Sequence, residues 1–127
     1  TGSTLTAELR RATESTRPSP QVQWPDDVSV PEDVEPVAQS VLAEALRNVA
    51  KHAQPTRIEV VVSSDADTFA LEIRNDGVTS TTPGAGMGLR LAAFEALQHG
   101  GMVEFGAVAP DSWRVRLVVP IAEEARA

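Results

Sequence analysis

The sequence contains no cysteine, which excludes a disulfide framework and a thiolate metal site and fits a reducing compartment. It has no apolar run of about 18 residues and no signal-peptide pattern, so we expect no membrane span and a cytoplasmic location. The phosphate-binding loop Gly-x-x-x-x-Gly-Lys-Ser/Thr is missing too, which argues against an ATPase of that class. Internal repeats and low-complexity segments are also absent from the sequence.

Basic residues are few: 11 lysines and arginines stand against 18 aspartates and glutamates, for a net charge of −7. Nucleic acid is therefore not an expected partner, because phosphate backbones are held by an excess of Lys and Arg. A single triphosphate is still compatible with this charge if local donors and a metal hold it. With 127 residues, 42% of them hydrophobic, the chain is expected to form one domain over 1–127, with frayed ends at 1–4 and 121–127.

Hydrophobic periodicity predicts the order of helices and strands. Alternating apolar residues predict strands at 57–63, 69–74, 102–105 and 113–119, and a short edge strand that ends near Trp24. Helical spacing predicts a short helix within 1–17, a long helix over 37–52 and a third helix from Leu89 to a stop at Gly100. This order is typical of an α+β fold, a two-layer sandwich of helices on a sheet.

The predicted long helix carries a polar stripe that consists of Glu44, Asn48, Lys51 and His52. These residues stand at i, i+4, i+7 and i+8, so their side chains share one face of the helix. The neighbouring face is apolar and can be buried against a sheet. The stripe therefore predicts a cleft wall that holds a hydrated cation and the anion it accompanies. A solvated helix face is the alternative.

A glycine-rich loop runs directly into the third predicted helix. Three glycines stand two residues apart, at Gly84, Gly86 and Gly88, with Met87 between the last two. Glycine permits positive φ and close approach of a ligand, and the free N–H groups of a helix N-terminus attract an anion. The loop is therefore a candidate phosphate site, and a plain flexible turn is the alternative.

Between these two motifs, a predicted strand ends in the turn Asn75-Asp76-Gly77. The order of the three motifs resembles the histidine-kinase-type ATPase (GHKL) superfamily, whose ATP-binding fold is named after Bergerat. The segment Glu-Ala-Leu-Arg-Asn-Val-Ala-Lys-His-Ala at 44–53 is most similar to sensor kinases of the nitrate-sensor and desaturase-sensor type. The resemblance covers about residues 37–120. It implies a mixed, mainly antiparallel sheet that is covered on one face by about three helices.

The resemblance implies a role for each polar residue of the long helix. Asn48 matches the asparagine that binds the Mg²⁺ bridging the phosphates of ATP, which suits a cation that takes oxygen ligands and keeps several waters. Glu44 matches the family's catalytic glutamate, which orients a metal-bound water or acts as a base. Lys51 neutralises phosphate charge. His52 donates to a phosphate or, as the alternative, is a packed histidine.

The turn at 75–77 matches the family's adenine motif, with departures. Asn75 stands where the family has an aspartate that accepts a hydrogen bond from the adenine amino group; an asparagine oxygen accepts the same bond more weakly. Asp76 either compensates for the lost charge or is only a turn residue. Gly77 matches the first motif glycine, whereas Thr79 replaces the second.

The resemblance also implies that the glycine-rich segment and the last strand contact the nucleotide. The residues that it implies in the glycine-rich segment are Gly84, Gly86, Met87, Gly88 and Leu89. The lid at 78–83 is short, as is usual in the resembled subfamily. At the last strand, Ser112-Trp113 replaces the Gly-Thr of many family members. The indole of Trp113 either stacks on the base or fills part of its pocket.

A histidine kinase needs an acceptor histidine on a dimerising helical hairpin, and the two histidines of this chain do not supply one. His52 belongs to the predicted nucleotide site, and His99 belongs to a helix C-terminus. We therefore interpret the chain as the catalytic, ATP-binding domain of a longer sensor histidine kinase. Its expected ligands are ATP or ADP with Mg²⁺, and it is incomplete as a phosphotransferase without the dimerisation and phosphoacceptor domain of its parent. A response regulator is an indirect partner, and the isolated domain is expected to be a monomer without membrane contact.

Two alternatives of other classes stay open. In the first, Asn75 and Trp113 have degraded the adenine site, and the domain is a non-catalytic module that acts through protein interaction. Loss of nucleotide binding identifies that case. In the second, the chain is an anti-sigma-factor serine kinase of the same superfamily, which co-purification with a sigma factor would identify.

Overall fold

The computed structural model describes residues 4–78 and 87–121. This part of the chain contains three helices: α1 (Leu5–Ser15), α2 (Glu35–His52) and α3 (Met87–Gln98). It also contains five strands: β1 (Gln21–Gln23), β2 (Ile58–Ser64), β3 (Thr68–Asn75), β4 (Met102–Ala109) and β5 (Ser112–Pro120). The order of elements is the one that the periodicity predicts.

The five strands form one sheet in the order β1-β2-β3-β5-β4. β1 pairs with β2 in parallel, and every other neighbouring pair is antiparallel. Because β5 lies between β3 and β4, the helix α3 crosses from the middle of the sheet to its far edge. The mixed, mainly antiparallel α+β sandwich expected from the sequence is confirmed.

One face of the sheet is buried under the helices, and the other is open to solvent. The alternation of β2, β3 and β5 turns apolar side chains such as Val60, Leu71 and Leu117 toward the helices, where each is fully buried. Helix α2 covers this face with the apolar side of its turns, and Leu5 of α1 closes the core at one end. The amide of Leu5 also donates to Glu35 Oε2 at 2.8 Å, which fastens α1 to the start of α2.

The boundaries differ from the predicted ones where local chemistry extends an element. α2 begins at Glu35, two residues earlier than predicted, because Pro36 is tolerated in a first helical turn. β4 continues to Ala109 beside β5. The edge strand ends at Gln23, and Trp24 packs against the core while its Nε1 donates to the carbonyl of Val28 at 2.7 Å.

The predicted stop after α3 is confirmed. Gly100 has a φ of 77°, a left-handed conformation that ends helices at little cost in glycine. None of the helices within 4–78 and 87–121 is long and apolar enough to cross a bilayer.

Candidate functional site

The polar stripe of the sequence lies along α2, beside the face that enters the core. Glu44, Asn48 and His52 are half-buried, and Lys51 in the last turn is exposed. The Glu44 carboxylate forms an ion pair with Arg47 one turn further along the helix, and its side chain is 23% exposed. An amide, a carboxylate and two basic groups therefore line one wall, each partly open to solvent and able to meet a ligand.

The first turn of α3 comes directly against this wall. A Cβ atom added at Gly88 would stand 3.0 Å from Glu44 Cγ and closer still to the carboxylate. Glycine at this position therefore lets the backbone of α3 approach the Glu44 side chain. A cavity of about 500 Å³ runs between the two helices, with Glu44, Gly88 and Leu91 among its lining residues. The contact brings together two motifs that are separated by more than forty residues in the chain.

The remaining predicted residues of the glycine-rich segment are divided between surface, core and the part that is not described. Met87 begins α3 and is 70% exposed. Leu89 is 1% exposed and lies in the hydrophobic core, so its side chain anchors α3 to the sheet. Gly84 and Gly86 lie outside the described residues, as do Thr79 and the rest of the lid after Val78.

Asn75 lies at the end of β3 and is 5% exposed. Among the described residues, it is the polar residue that is buried. It points to the helix side of the sheet because it follows the alternation of Leu71 and Ile73. Its Nδ2 donates to the main-chain carbonyl of Asp76 at 2.9 Å. This hydrogen bond fixes the orientation of the amide, so the group that Asn75 offers to a ligand is the acceptor Oδ1.

Trp113 lies directly opposite Asn75 in the register of β3 and β5. Its ring stacks on Phe105 of β4, with centroids 6.5 Å apart and planes inclined by 25°. The indole Nε1 is buried and has no hydrogen-bond partner among the described residues. A buried donor without a partner costs about 1–3 kcal/mol, so this position favours a ligand that carries an acceptor. The stacking partner Phe105 could be anticipated from strand alternation, but only once the pairing of β4 with β5 was known.

The turn after β3 is fastened to the loop between α2 and β2. Asp76 Oδ1 accepts from the amides of Thr56 at 2.7 Å and Arg57 at 3.0 Å, and Oδ2 accepts from the Thr56 hydroxyl. The Gly77 carbonyl accepts from the amide of Gln54 at 2.8 Å. Of the two interpretations of Asp76, the geometry favours the turn residue. Thr56 and Arg57 did not emerge from the sequence, because their partner is about twenty residues away and no local pattern marks them.

These hydrogen bonds lower the pKa of Asp76, first through the Thr56 hydroxyl and then through the amide of Arg57. Since the native pKa lies below that of the unfolded chain, about 3.9, the stabilisation is complete above that value and is lost as pH falls through the native pKa. We therefore expect Asp76→Asn to reduce the acid dependence of the free energy of unfolding. Urea unfolding at a series of acidic pH values measures it, and Thr56→Ala should give an intermediate slope. An identical slope in Asp76→Asn and the native chain contradicts this account.

Two curated bacterial proteins are similar to this chain. It is 30% identical over 98 residues to the sensor histidine kinase YxjM of Bacillus subtilis (strain 168), a match that covers 77% of this chain and 23% of that protein. It is 28% identical over 80 residues to the sensor histidine kinase LnrJ of the same strain, which covers 63% of this chain and 20% of that protein. The chain thus spans less than a quarter of the length of these relatives. A scan against protein-family models found no match.

Solved structures share the fold at lower identity. The histidine kinase domain of the blue-light activated histidine kinase from Erythrobacter litoralis EL346 matches with a TM-score of 0.70 and 16% identity, over 97% of this chain and 64% of that one. The Acinetobacter baumannii histidine kinase AdeS matches with a TM-score of 0.62 and 11% identity, over 93% of this chain and 59% of that one. At these identities the likeness concerns the arrangement of helices on the sheet.

Proposed function

Because this chain belongs to the histidine-kinase-type ATPase (GHKL) superfamily, we propose that it is the catalytic and ATP-binding domain of a two-component sensor histidine kinase. The observation that carries the proposal is the contact of Glu44 on α2 with Gly88 in the first turn of α3. That contact joins the polar stripe to the helix that the glycine-rich segment opens. We propose that the nucleotide phosphates bind here, between the polar stripe of α2 and the N-terminal turn of α3.

The buried pair Asn75 and Trp113 supports adenine as the base. The oriented Oδ1 of Asn75 can accept a hydrogen bond from an exocyclic amino group. Adenine carries such a group at position 6, where guanine has an oxo group. Trp113 supplies an apolar ring beside Asn75 and an indole N–H that lacks a partner among the described residues. We therefore assign base recognition to these two residues, and to Gly77 the turn that holds Asn75.

The α2 stripe supports a Mg²⁺-triphosphate beside the base. Within residues 4–78 and 87–121, no cluster of three His, Cys, Asp or Glu could hold a metal. Asn48 offers one amide oxygen, which fits a magnesium ion that completes its shell with phosphate oxygens and water. Such an ion neutralises charge on the phosphates when it is bound. Lys51 and His52, in the last turn of the same helix, supply positive charge to the same anion.

Glu44 is the residue that we place nearest to the phosphate group that is transferred. It lies one turn before Asn48 and against the first turn of α3, where it can hold a water or take a proton from an attacking group. In the resting structure its charge is balanced by Arg47. We propose that the acceptor is a histidine of the parent kinase, carried by a dimerisation domain outside this chain, with phosphate passing on to a response regulator. A cytoplasmic location follows for the domain from this role, since ATP is its substrate.

An exposed apolar stripe on α3 supports the docking of that acceptor domain. Met87, Leu91, Phe94 and Leu97 are between 61% and 70% exposed and recur at helical spacing. Exposed apolar patches of this kind mark interaction surfaces. Leu91 also lines the cavity that contains Glu44, so a partner on this stripe lies beside the proposed nucleotide.

The proposal is tested by thermal-shift titration with ATP, ADP and GTP, each with and without Mg²⁺. We expect ATP to stabilise the chain by about 2.7 kcal/mol at 100 times its dissociation constant, a rise of several degrees. Mg²⁺ should strengthen the effect, and GTP should give a smaller shift because its 6-oxo group does not donate to Asn75 Oδ1.

The variants Trp113→Thr and Asn75→Asp separate the remaining possibilities. If both retain the shift, the pocket tolerates either chemistry and the proposal stands. A native chain without any nucleotide shift, together with a shift restored by either variant, identifies a degenerate module and overturns the proposal. The acceptor step is tested by adding the parent's helical hairpin, to which the native domain should transfer phosphate and a Phe94→Asp variant should not.

A further inference from the structure

The open face of the sheet carries a line of charged residues that the proposed kinase activity does not use. Strand register places Glu59, Arg74, Arg114 and Gly106 side by side across β2, β3, β5 and β4. Arg74 directly precedes the inward-facing Asn75, and Arg114 directly follows the inward-facing Trp113. Because successive side chains of a strand point to opposite faces, the two arginines lie on the side away from the helices.

This line places two arginines side by side. Arg74 and Arg114 are direct cross-strand partners, and like charges in this position are destabilising. Arg74 Nε donates to Glu72 Oε2 at 2.5 Å. Arg114 has no carboxylate within 4.0 Å among the described residues, and neither does Arg57 at the start of β2. The guanidinium groups of Arg57 and Arg114 therefore keep unused hydrogen-bond donors, near the guanidinium group of Arg74.

The three arginines line one cavity of about 510 Å³, together with Glu59, Asn75, Asp76 and a wall from β4. That volume is in the range of small-ligand sites.

The acidic residues of the lining, Glu59 and Asp76, form no ion pair within 4.0 Å with Arg57 or Arg114. The Asp76 oxygens accept hydrogen bonds from the Thr56 and Arg57 amides, which leaves their negative charge in place. Glu59 and Asp76 therefore offset part of the positive charge, and Arg57 and Arg114 keep free donors.

We propose that this cavity, the open-face arginine site (Arg57, Arg74 and Arg114), binds a small organic anion that carries carboxylate or phosphate groups. Guanidinium groups match such oxyanions with paired hydrogen bonds, and a ligand that accepts from two arginines removes the repulsion between Arg74 and Arg114. The arginines lie on the face of the sheet opposite the helices, and the cavity also includes Asn75, which we assign to base recognition.

Isothermal titration calorimetry with citrate and with inorganic pyrophosphate tests the site, at constant ionic strength and without Mg²⁺. We expect saturable binding at one site for at least one probe, and the stronger probe shows whether carboxylate or phosphate is preferred. Arg114→Gln should weaken binding about tenfold or more, since hydrogen bonds to charged groups are strong. Arg10→Gln is the matched control, because Arg10 is an exposed arginine on α1. It should bind the probe as the native chain does.

The site is distinguished from the nucleotide cleft with Lys51→Gln, which removes the positive charge that we assign to the phosphates there and should leave the affinity of the arginine site for both probes unchanged. Absence of saturable binding to the native chain overturns the proposal. Equal weakening by Arg10→Gln and Arg114→Gln does so too, because it indicates general attraction of anions. Weakening by Lys51→Gln with unchanged binding by Arg114→Gln places the probe in the nucleotide cleft and also overturns it. Unchanged melting temperatures of the variants show that the fold is intact.

Discussion

We expect Asn48→Ala to abolish the Mg²⁺-dependent part of nucleotide binding while the fold stays intact. Asn48 is half-buried on the polar side of α2 and is not a member of the hydrophobic core. Alanine is the best helix former, so the helix itself does not weaken. The variant does, however, remove the single side-chain oxygen that we assign to the metal.

The size of this effect follows from mass action. Ligand at 100 times its dissociation constant stabilises the native chain by about 2.7 kcal/mol, and this gain falls to about 0.4 kcal/mol when affinity falls a hundredfold. Thermal-shift titration with Mg²⁺-ATP measures it, with Gln98→Ala at the exposed end of α3 as the amide control. Retention of the Mg²⁺-dependent shift by Asn48→Ala removes Asn48 from the site.

Glu44→Gln gives the complementary result that separates binding from chemistry. We place Glu44 at the reacting group and not at the metal, so this variant should still bind Mg²⁺-ATP. Phosphotransfer to the parent's acceptor should fall by about 10²–10⁴-fold, the usual contribution of a general base. A variant that loses binding and transfer together points instead to a role in holding the nucleotide.

Elements with strong periodicity could be predicted from the sequence. Alternation places Val60, Leu71 and Leu117 on one face of each strand, and the helical spacing of the α2 stripe follows from 3.6 residues per turn. The stop at Gly100 could also be predicted, because glycine there adopts the positive φ that ends a helix. These features depend only on residues that are near one another in the chain.

Features that depend on strand order and register could not be predicted. Arg74 and Arg114 become neighbours only because β5, and not β4, pairs with β3. Gly88 was expected to bring the backbone to an anion, whereas in the structure it also makes room for Glu44 of another helix. Asp76 contacts Thr56 and Arg57 across a gap of about twenty residues. Each of these contacts is set by tertiary packing, which a local pattern does not contain.

The other large effect that we expect is on stability, from Gly77→Ala. Gly77 has a φ of 70°, and a left-handed conformation costs an alanine roughly 1–2 kcal/mol. Its added Cβ would also stand 2.7 Å from the carbonyl carbon of Gln54 and 3.1 Å from Pro55 Cα. These are main-chain atoms, so no rotamer change relieves the contact. Strain of this kind adds about 1–3 kcal/mol, for a total of roughly 2–5 kcal/mol.

The backbone cannot simply move to admit the methyl group. The Gly77 carbonyl accepts a hydrogen bond from Gln54, and the Asp76 carboxylate accepts from Thr56 and Arg57. Hydrogen bonds at both Asp76 and Gly77 therefore restrain the backbone of the turn. Urea unfolding measures the loss, and Gly106→Ala is the control, since its Cβ meets no atom within 4 Å. Equal stability of the two variants contradicts this account. Because Asn75 precedes the same turn, the fraction of Gly77→Ala that stays folded should also bind nucleotide more weakly, which Gly106→Ala should not.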